Sequence, residues 1–152
     1  MKSRLRIPPL AILGLAGAVG WIAARMAPAL NFEFVGRAEL AATFVLLGLT
    51  SSMLGVASFR RARTTVNPLT PDATTALVVS GIYRLTRNPM YLGFLLLLLA
   101  EIVWLANPLV CLVAPLFVVY LNRFQISLEE IALRSLFGAQ FEAYALCVRR
   151  WI

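Results

Sequence analysis

Four long apolar runs divide the chain. They cover about residues 7–24, 40–59, 90–106 and 109–122. A helix of about 18 residues rises about 27 Å, close to the thickness of the hydrocarbon core of a bilayer. The last two runs are short and are separated by Asn107 and Pro108, which predicts a helical hairpin that crosses only if its helices extend beyond the apolar residues. We therefore predict four membrane-spanning helices.

Beyond residue 124 the apolar pattern changes to helical amphipathicity. Apolar residues recur at steps of three and four, at Leu133, Phe137, Phe141, Tyr144 and Val148. This pattern predicts one C-terminal helix over 125–150 that lies against the membrane and is not a fifth span. The polar loop over 60–88 is too long to be a plain connection, so we expect function there. The predicted fold is an all-α polytopic membrane helix bundle, formed by a single domain over 1–152.

The composition agrees with a bilayer as the solvent for these helices. Apolar residues make up 61% of the chain and charged residues 14%, against about 45–50% and about 25% in soluble domains. The chain contains no histidine, which excludes catalytic and metal sites that depend on imidazole. Cys111 and Cys147 lie in apolar stretches without CxxC spacing, which indicates small hydrophobic residues and no disulfide or metal site.

The net charge of +7 indicates membrane orientation and no nucleic-acid partner. With four crossings, one side collects both termini, the loop and twelve Lys and Arg residues, which leaves Arg25 and Arg37 on the other side. Because basic residues stay on the cytoplasmic side, we expect a multi-pass protein of the cell (inner) membrane with both termini in the cytoplasm. A signal peptide cleaved near residues 27–29 is the alternative, and it would leave three spans.

Small residues suggest close helix contacts in the first run. Gly14, Gly17 and Gly20 recur at three-residue steps. In lipid, such residues let helix backbones approach each other closely. No strand precedes them, so a phosphate-binding loop is not indicated.

Polar and aromatic residues crowd the stretch over 81–93, GIYRLTRNPMYLG, where the loop meets the third predicted span. Tyr83 and Arg84 fit a belt of side chains at headgroup depth. Asn88 and Pro89 fit a belt less well, because they place an amide at the start of a helix, where it can cap the helix or face a polar ligand. An interface belt and a binding site are both compatible with this stretch.

Glu129 and Glu130 form a second candidate group. Adjacent carboxylates point about 100° apart on a helix, so only one faces a given site. Glu129 continues the apolar face of Leu133 and Phe137, and a carboxylate on a buried face needs a partner. We expect a functional role for Glu129 and a salt bridge or solvent for Glu130, although both could simply complement the helix dipole. Glu101, inside a predicted span, is a further candidate.

These motifs together resemble a known family. They comprise residues 81–93, EEIAL at 129–133, Phe137, Gly138, Tyr144, Val148, RRW at 149–151, TTVNP at 64–68 and NRFQI at 122–126. Their order and spacing resemble the isoprenylcysteine carboxyl methyltransferase and phospholipid methyltransferase group of integral membrane enzymes, and in particular its small bacterial members. The resemblance covers about the last ninety residues.

The resemblance implies an S-adenosylmethionine site that the loop and the C-terminal helix build over the membrane bundle, unlike the Rossmann site of soluble methyltransferases. The cofactor-binding residues that it implies are Thr75, Ala76, Leu77, Val78, Tyr83, Asn88, Pro89, Met90, Tyr91 and Glu129. The family often has Arg-His-Pro where this chain has Arg87, Asn88 and Pro89. Asn88 can form hydrogen bonds there but cannot transfer a proton.

The resemblance also implies residues near the acceptor. In the prenyl-protein enzymes, an Arg shortly before the carboxylate pair is linked to the substrate. Gln125 stands at the aligned position of this chain and Arg123 is the nearest Arg. These two residues are the candidate catalytic residues.

The absence of histidine is consistent with this chemistry. A sulfonium is an activated methyl donor, so methyl transfer mainly needs alignment and exclusion of water. We expect the methyl group to be transferred to the carboxylate, thiol or amine of a lipid or lipid-like molecule that arrives from the bilayer. Membrane lipids are further expected partners. The alternative is a non-catalytic membrane accessory or transport subunit that retains the scaffold and binds no cofactor.

Overall fold

The computed structural model describes residues 7–62 and 76–152, and every regular element within them is helical. These residues form α1 (Pro9–Met26), α2 (Arg37–Arg61), α3 (Pro89–Leu105), α4 (Val113–Leu121), α5 (Ser127–Phe137) and α6 (Ala139–Cys147). Proline stands at the first position of both α1 and α3, where its missing N–H costs no hydrogen bond. The predicted all-α membrane bundle is confirmed.

Three helical segments of the described chain are long and apolar enough to cross a bilayer. They are Pro9–Met26, Arg37–Arg61 and Pro108–Phe137. The third predicted span corresponds to α3, which is apolar but has 17 residues. Its rise of about 26 Å is slightly less than the hydrocarbon core. The protein is thus a multi-pass membrane protein, and its described residues contain three long helical segments and one shorter apolar helix.

Helices α2 and α3 pack with their backbones in close contact. A methyl group placed on Gly93 of α3 would lie 2.5 Å from the carbonyl oxygen of Gly48 in α2. One turn beyond Gly48, the Ser51 hydroxyl donates a hydrogen bond to the Pro89 carbonyl at 2.7 Å. These contacts hold the start of α3, which carries the candidate motif, firmly against α2.

Two of the three glycines of α1 lie in close contact with residues outside α1, as predicted. A methyl group on Gly17 would lie 2.8 Å from the Glu101 carboxyl, and one on Gly20 would lie 3.0 Å from Val110. Gly14 has no other atom within 4 Å of such a group. The carboxyl of Glu101 therefore lies in a notch between α1 and α3 that Gly17 leaves open.

The fourth predicted span continues far beyond its apolar residues. A 3₁₀ turn over Pro108–Leu112 leads into α4, and a π-helical turn over Asn122–Ile126 joins α4 to α5. The predicted reversal at Asn107 is present, and the Asn107 side chain accepts a hydrogen bond from the Leu109 N–H at 3.0 Å. A single helical run thus leads from the reversal to the second candidate group.

The C-terminal region differs from the single helix predicted over 125–150. Gly138, with φ of 48° and ψ of −122°, separates α5 from α6. This conformation is accessible to glycine and strained for other residues. After Cys147 the backbone turns extended at Val148. The amphipathic period continues across Gly138, so the pattern of apolar residues does not reveal the break.

Candidate functional site

The candidate site lies where the start of α3 meets α5. The Tyr91 hydroxyl donates a hydrogen bond to Oε1 of Glu129 at 2.5 Å, across 38 residues of sequence. Tyr91 is buried and Glu129 is half-buried. Helix α5 therefore presents Glu129, and not Glu130, to α3. The structure brings together the two stretches that the sequence singled out separately.

Two further tyrosines border this pair. Tyr83 is buried, and its ring packs edge-on against Phe59 at 5.5 Å between centroids. Burial raises the pKa of the Tyr83 hydroxyl well above its usual value, and the neighbouring Tyr144 and Glu129 raise it further. The Tyr144 hydroxyl donates a hydrogen bond to the Tyr83 carbonyl at 2.7 Å. We call Tyr83, Tyr91, Glu129 and Tyr144 the tyrosine–glutamate cluster.

This cluster is suited to an organic cation more than to a metal ion. Burial raises the pKa of Tyr144 to about 12, although the charge of Arg87 opposes the shift. The phenols of Tyr83 and Tyr144 are therefore neutral at pH 7. Aromatic rings beside a carboxylate attract organic cations. Within the described residues, no group of three or more His, Cys, Asp or Glu side chains could hold a metal ion.

Glu130 faces away from this cluster and forms ion pairs. Arg150 donates from Nε and Nη2 to its two carboxylate oxygens at 2.8 and 2.7 Å. Arg87 Nη2 lies 3.3 Å from Oε1 of Glu130. Of the two expectations for Glu130, the structure shows the salt bridge. The alternative that Glu130 complements the dipole of a helix N-terminus does not apply, because α5 continues from a helical turn and has no free N-terminal end.

The side chain of Asn88 does not cap α3 but connects it to another part of the chain. It precedes the first residue of α3, but its side chain makes no capping hydrogen bond. Its amide instead donates to the Arg150 carbonyl at 2.9 Å, and its backbone N–H donates to the Thr86 hydroxyl at 3.1 Å. Asn88 therefore ties the start of α3 to the segment that follows α6.

The other residues implied by the resemblance lie close in sequence to Tyr83 and Tyr91. Pro89 and Met90 pack against α2, where a methyl group on Gly55 would lie 3.2 and 2.9 Å from their Cγ atoms. The remaining implied positions precede the turn at Gly81–Arg84: Ala76 and Leu77 are half-buried, Val78 is buried, and Thr75 lies outside the described residues.

The two residues predicted near the acceptor are both on the π-helical turn. Gln125 is buried, and its amide donates a hydrogen bond to the Ile7 carbonyl at 3.3 Å. This bond connects the π-helical turn to the residues just before α1. Arg123 is exposed.

Residues 148–151, which we call the strap, have a structural role that was not predicted from the sequence. Its Arg150 reaches Glu130, and the Trp151 indole donates to the side chain of Asn122 at 3.2 Å. The motif RRW had been part of the family resemblance, which was the available signal. No periodicity indicated where these residues dock, because they belong to no regular element and bind partners far away in the sequence.

Comparisons with known proteins show which sequences this chain is similar to. Residues 37–140 match the phospholipid methyltransferase family. The chain is 36% identical over 104 residues to a probable protein-S-isoprenylcysteine O-methyltransferase of Oryza sativa subsp. indica, across 66% of this chain and 53% of that protein. It is 42% identical over 72 residues to protein-S-isoprenylcysteine O-methyltransferase A of Arabidopsis thaliana, across 45% of this chain and 35% of that protein.

An uncharacterized protein of Haemophilus influenzae is 46% identical over 63 residues, which are 41% of this chain and all of that protein. The chain spans about half the length, or less, of the named methyltransferases that it matches. No solved structure gives a significant match. The family match runs from the start of α2 into α6, and it includes Tyr83, Tyr91 and Glu129. This multi-pass membrane protein therefore belongs to the phospholipid methyltransferase family.

Proposed function

We propose that this protein is a membrane methyltransferase that uses S-adenosylmethionine as the methyl donor and a lipophilic molecule as the acceptor. The observation that carries the proposal is the hydrogen bond of 2.5 Å between Tyr91 and Glu129. It joins two distant family motifs beside the buried Tyr83. Family membership and the names of the relatives support methyl transfer.

The tyrosine–glutamate cluster fits the donor. When bound, S-adenosylmethionine supplies a methyl group on a positively charged sulfur that needs no further activation. Glu129 would attract this charge, and the rings of Tyr83 and Tyr91 would face it, since aromatic faces and carboxylates both favour cations. The Tyr91 hydroxyl keeps the Glu129 carboxylate oriented. Burial of Tyr83 and Tyr91 helps to exclude water from the transfer.

The acceptor would approach from the lipid. Helices α1 and α2 expose large apolar side chains such as Leu15 and Leu46 to the bilayer, so a molecule with a lipid tail can reach the bundle without entering water. Its methylated group would be a carboxylate, a thiol or an amine. By the distribution of basic residues, we place the site and both termini on the cytoplasmic side of the inner membrane.

Calorimetric titration of the detergent-purified protein with S-adenosylmethionine and with its demethylated product tests the proposal. The wild type should bind both. Glu129→Gln should weaken binding at least about tenfold, because a charge-assisted contact contributes about 1.5–3 kcal/mol. Glu142→Gln is the matched control, since Glu142 is exposed on α6 and pairs with Arg134. Membrane lipid extracts incubated with methyl-labelled donor would then identify the acceptor.

Each outcome has a distinct meaning. No binding to the wild type would contradict the enzyme and would favour the accessory or transport subunit. Binding that Glu129→Gln leaves unchanged would refute the assignment of this residue to the donor site, while the methyltransferase function would stand.

A further inference from the structure

The strap connects three separate parts of the site. Its backbone carbonyls receive hydrogen bonds from residues just before α3: the Arg87 N–H donates to Arg149 at 2.9 Å, and the Thr86 hydroxyl donates to Arg150 at 3.0 Å. The Asn88 amide donates to the same Arg150 carbonyl. These bonds cross more than sixty positions of sequence and hold the strap beside the start of α3.

The Arg150 side chain connects the strap to α5. Its planar guanidinium forms two parallel hydrogen bonds with the buried carboxylate of Glu130. Such a two-point contact defines an orientation as well as a distance, which a single ammonium group does not do. Trp151 adds a third connection, to Asn122 on the π-helical turn that precedes α5.

The orientation of Glu130 determines that of Glu129. Neighbouring residues on a helix are separated by about 100° around its axis. If Glu130 is held toward the strap, Glu129 is held toward Tyr91. Arg87 reinforces this arrangement, because its Nε and Nη1 are buried without an acceptor among the described residues, and Glu130 balances its charge. A rotation of α5 would therefore separate the buried Arg87 guanidinium from the Glu130 carboxylate and break the Tyr91 contact together.

We propose that Arg150 is a positioning residue of the donor site: its paired hydrogen bonds to Glu130 hold α5 at the rotation that brings Glu129 to Tyr91. This inference rests on the proposed function of the tyrosine–glutamate cluster. Arg150 acts through Glu130 and does not itself contact the donor.

Donor binding by Arg150 variants tests the inference. S-adenosylhomocysteine is titrated calorimetrically into the full chain in detergent, well below the melting temperature of each variant. Arg150→Gln should raise the Kd at least about tenfold. Arg150→Lys, which keeps the charge but not the two-point contact, should restore part of the affinity. Arg61→Gln is the matched control, since it removes the same charge from an exposed position at the end of α2.

A purely structural role of Arg150 would lower the melting temperature and leave the Kd below that temperature unchanged, and this result would overturn the inference. Affinities of Arg150→Lys and Arg150→Gln that both equal the wild-type value would do the same. If the wild type binds no S-adenosylhomocysteine, the proposed function fails and this inference fails with it. If Arg150→Gln does not fold, Arg150→Lys decides, because its Kd must then exceed the wild-type value.

Discussion

The contact between α2 and α3 at Gly93 leads to a quantitative prediction. In Gly93→Ala, the new methyl group would lie 2.5 Å from the Gly48 carbonyl oxygen and 3.1 Å from the backbone nitrogen of Ser52. Both are backbone atoms, which cannot rotate aside, so the helices must separate. Overpacking of this kind costs about 1–3 kcal/mol. Replacing a helical glycine by alanine returns about 1 kcal/mol, so the net change is a loss of up to about 2 kcal/mol.

Gly14→Ala provides the matched control. It makes the same chemical change in α1, where no other atom lies within 4 Å of the new methyl group. Only the gain in helix propensity applies there. The difference between the two variants therefore isolates the packing cost of about 1–3 kcal/mol. In a chain of this size, 1 kcal/mol corresponds to about 2–4 °C in Tm.

Thermal unfolding in detergent, followed by circular dichroism, measures both variants. Gly93→Ala should melt several degrees below Gly14→Ala. It should also bind the donor more weakly, because Tyr91 lies only two residues from Gly93 and moves with α3. Equal melting temperatures of the two variants would refute the argument that backbone contact sets the distance between α2 and α3.

Two further predictions concern polar groups. Burial raises the pKa of Tyr144 from 10.0 to about 12, so its neutral phenol contributes stability that is present below about pH 10 and lost as the pH rises through 12. In Tyr144→Phe this part of the alkaline decline in Tm should be missing. An alkaline decline in Tm equal to that of the wild type would contradict the prediction. Asn107→Ala removes two donated bonds, to Ala27 and Asn31, and one accepted bond. The variant should lower the free energy of unfolding by about 1–3 kcal/mol. A Tm of Asn107→Ala no lower than that of Asn31→Ala would contradict the stabilising role of these hydrogen bonds.

The helices could be predicted well from the sequence because burial in lipid requires long apolar runs. The reversal at Asn107 was equally accessible, since an Asn-Pro pair between two apolar runs has a local meaning. The different orientations of Glu129 and Glu130 were predictable in the same way, because adjacent carboxylates on a helix face different directions. In each case the relevant physics acts over a few neighbouring residues.

The rest depends on contacts between distant residues. The strap binds residues 86–88 and Glu130 through backbone carbonyls and one side chain, and such bonds leave no periodic pattern. The π-helical turn over Asn122–Ile126 shifts the helix register between α4 and α5. The Asn88 amide donates to the carbonyl of a residue 62 positions away, a contact that no local pattern around Asn88 indicates.

The helical run over Pro108–Phe137 has a consequence for how the site responds to its surroundings. Its 30 residues rise about 45 Å, more than the hydrocarbon thickness of about 30 Å. A helix longer than the bilayer accommodates a change of thickness by tilting. The lipid-facing part of this run is α4, and its far part carries Glu129, so a tilt in the lipid moves the carboxylate relative to Tyr91. If the cluster binds the donor as proposed, the length of the surrounding acyl chains thereby becomes a determinant of donor affinity.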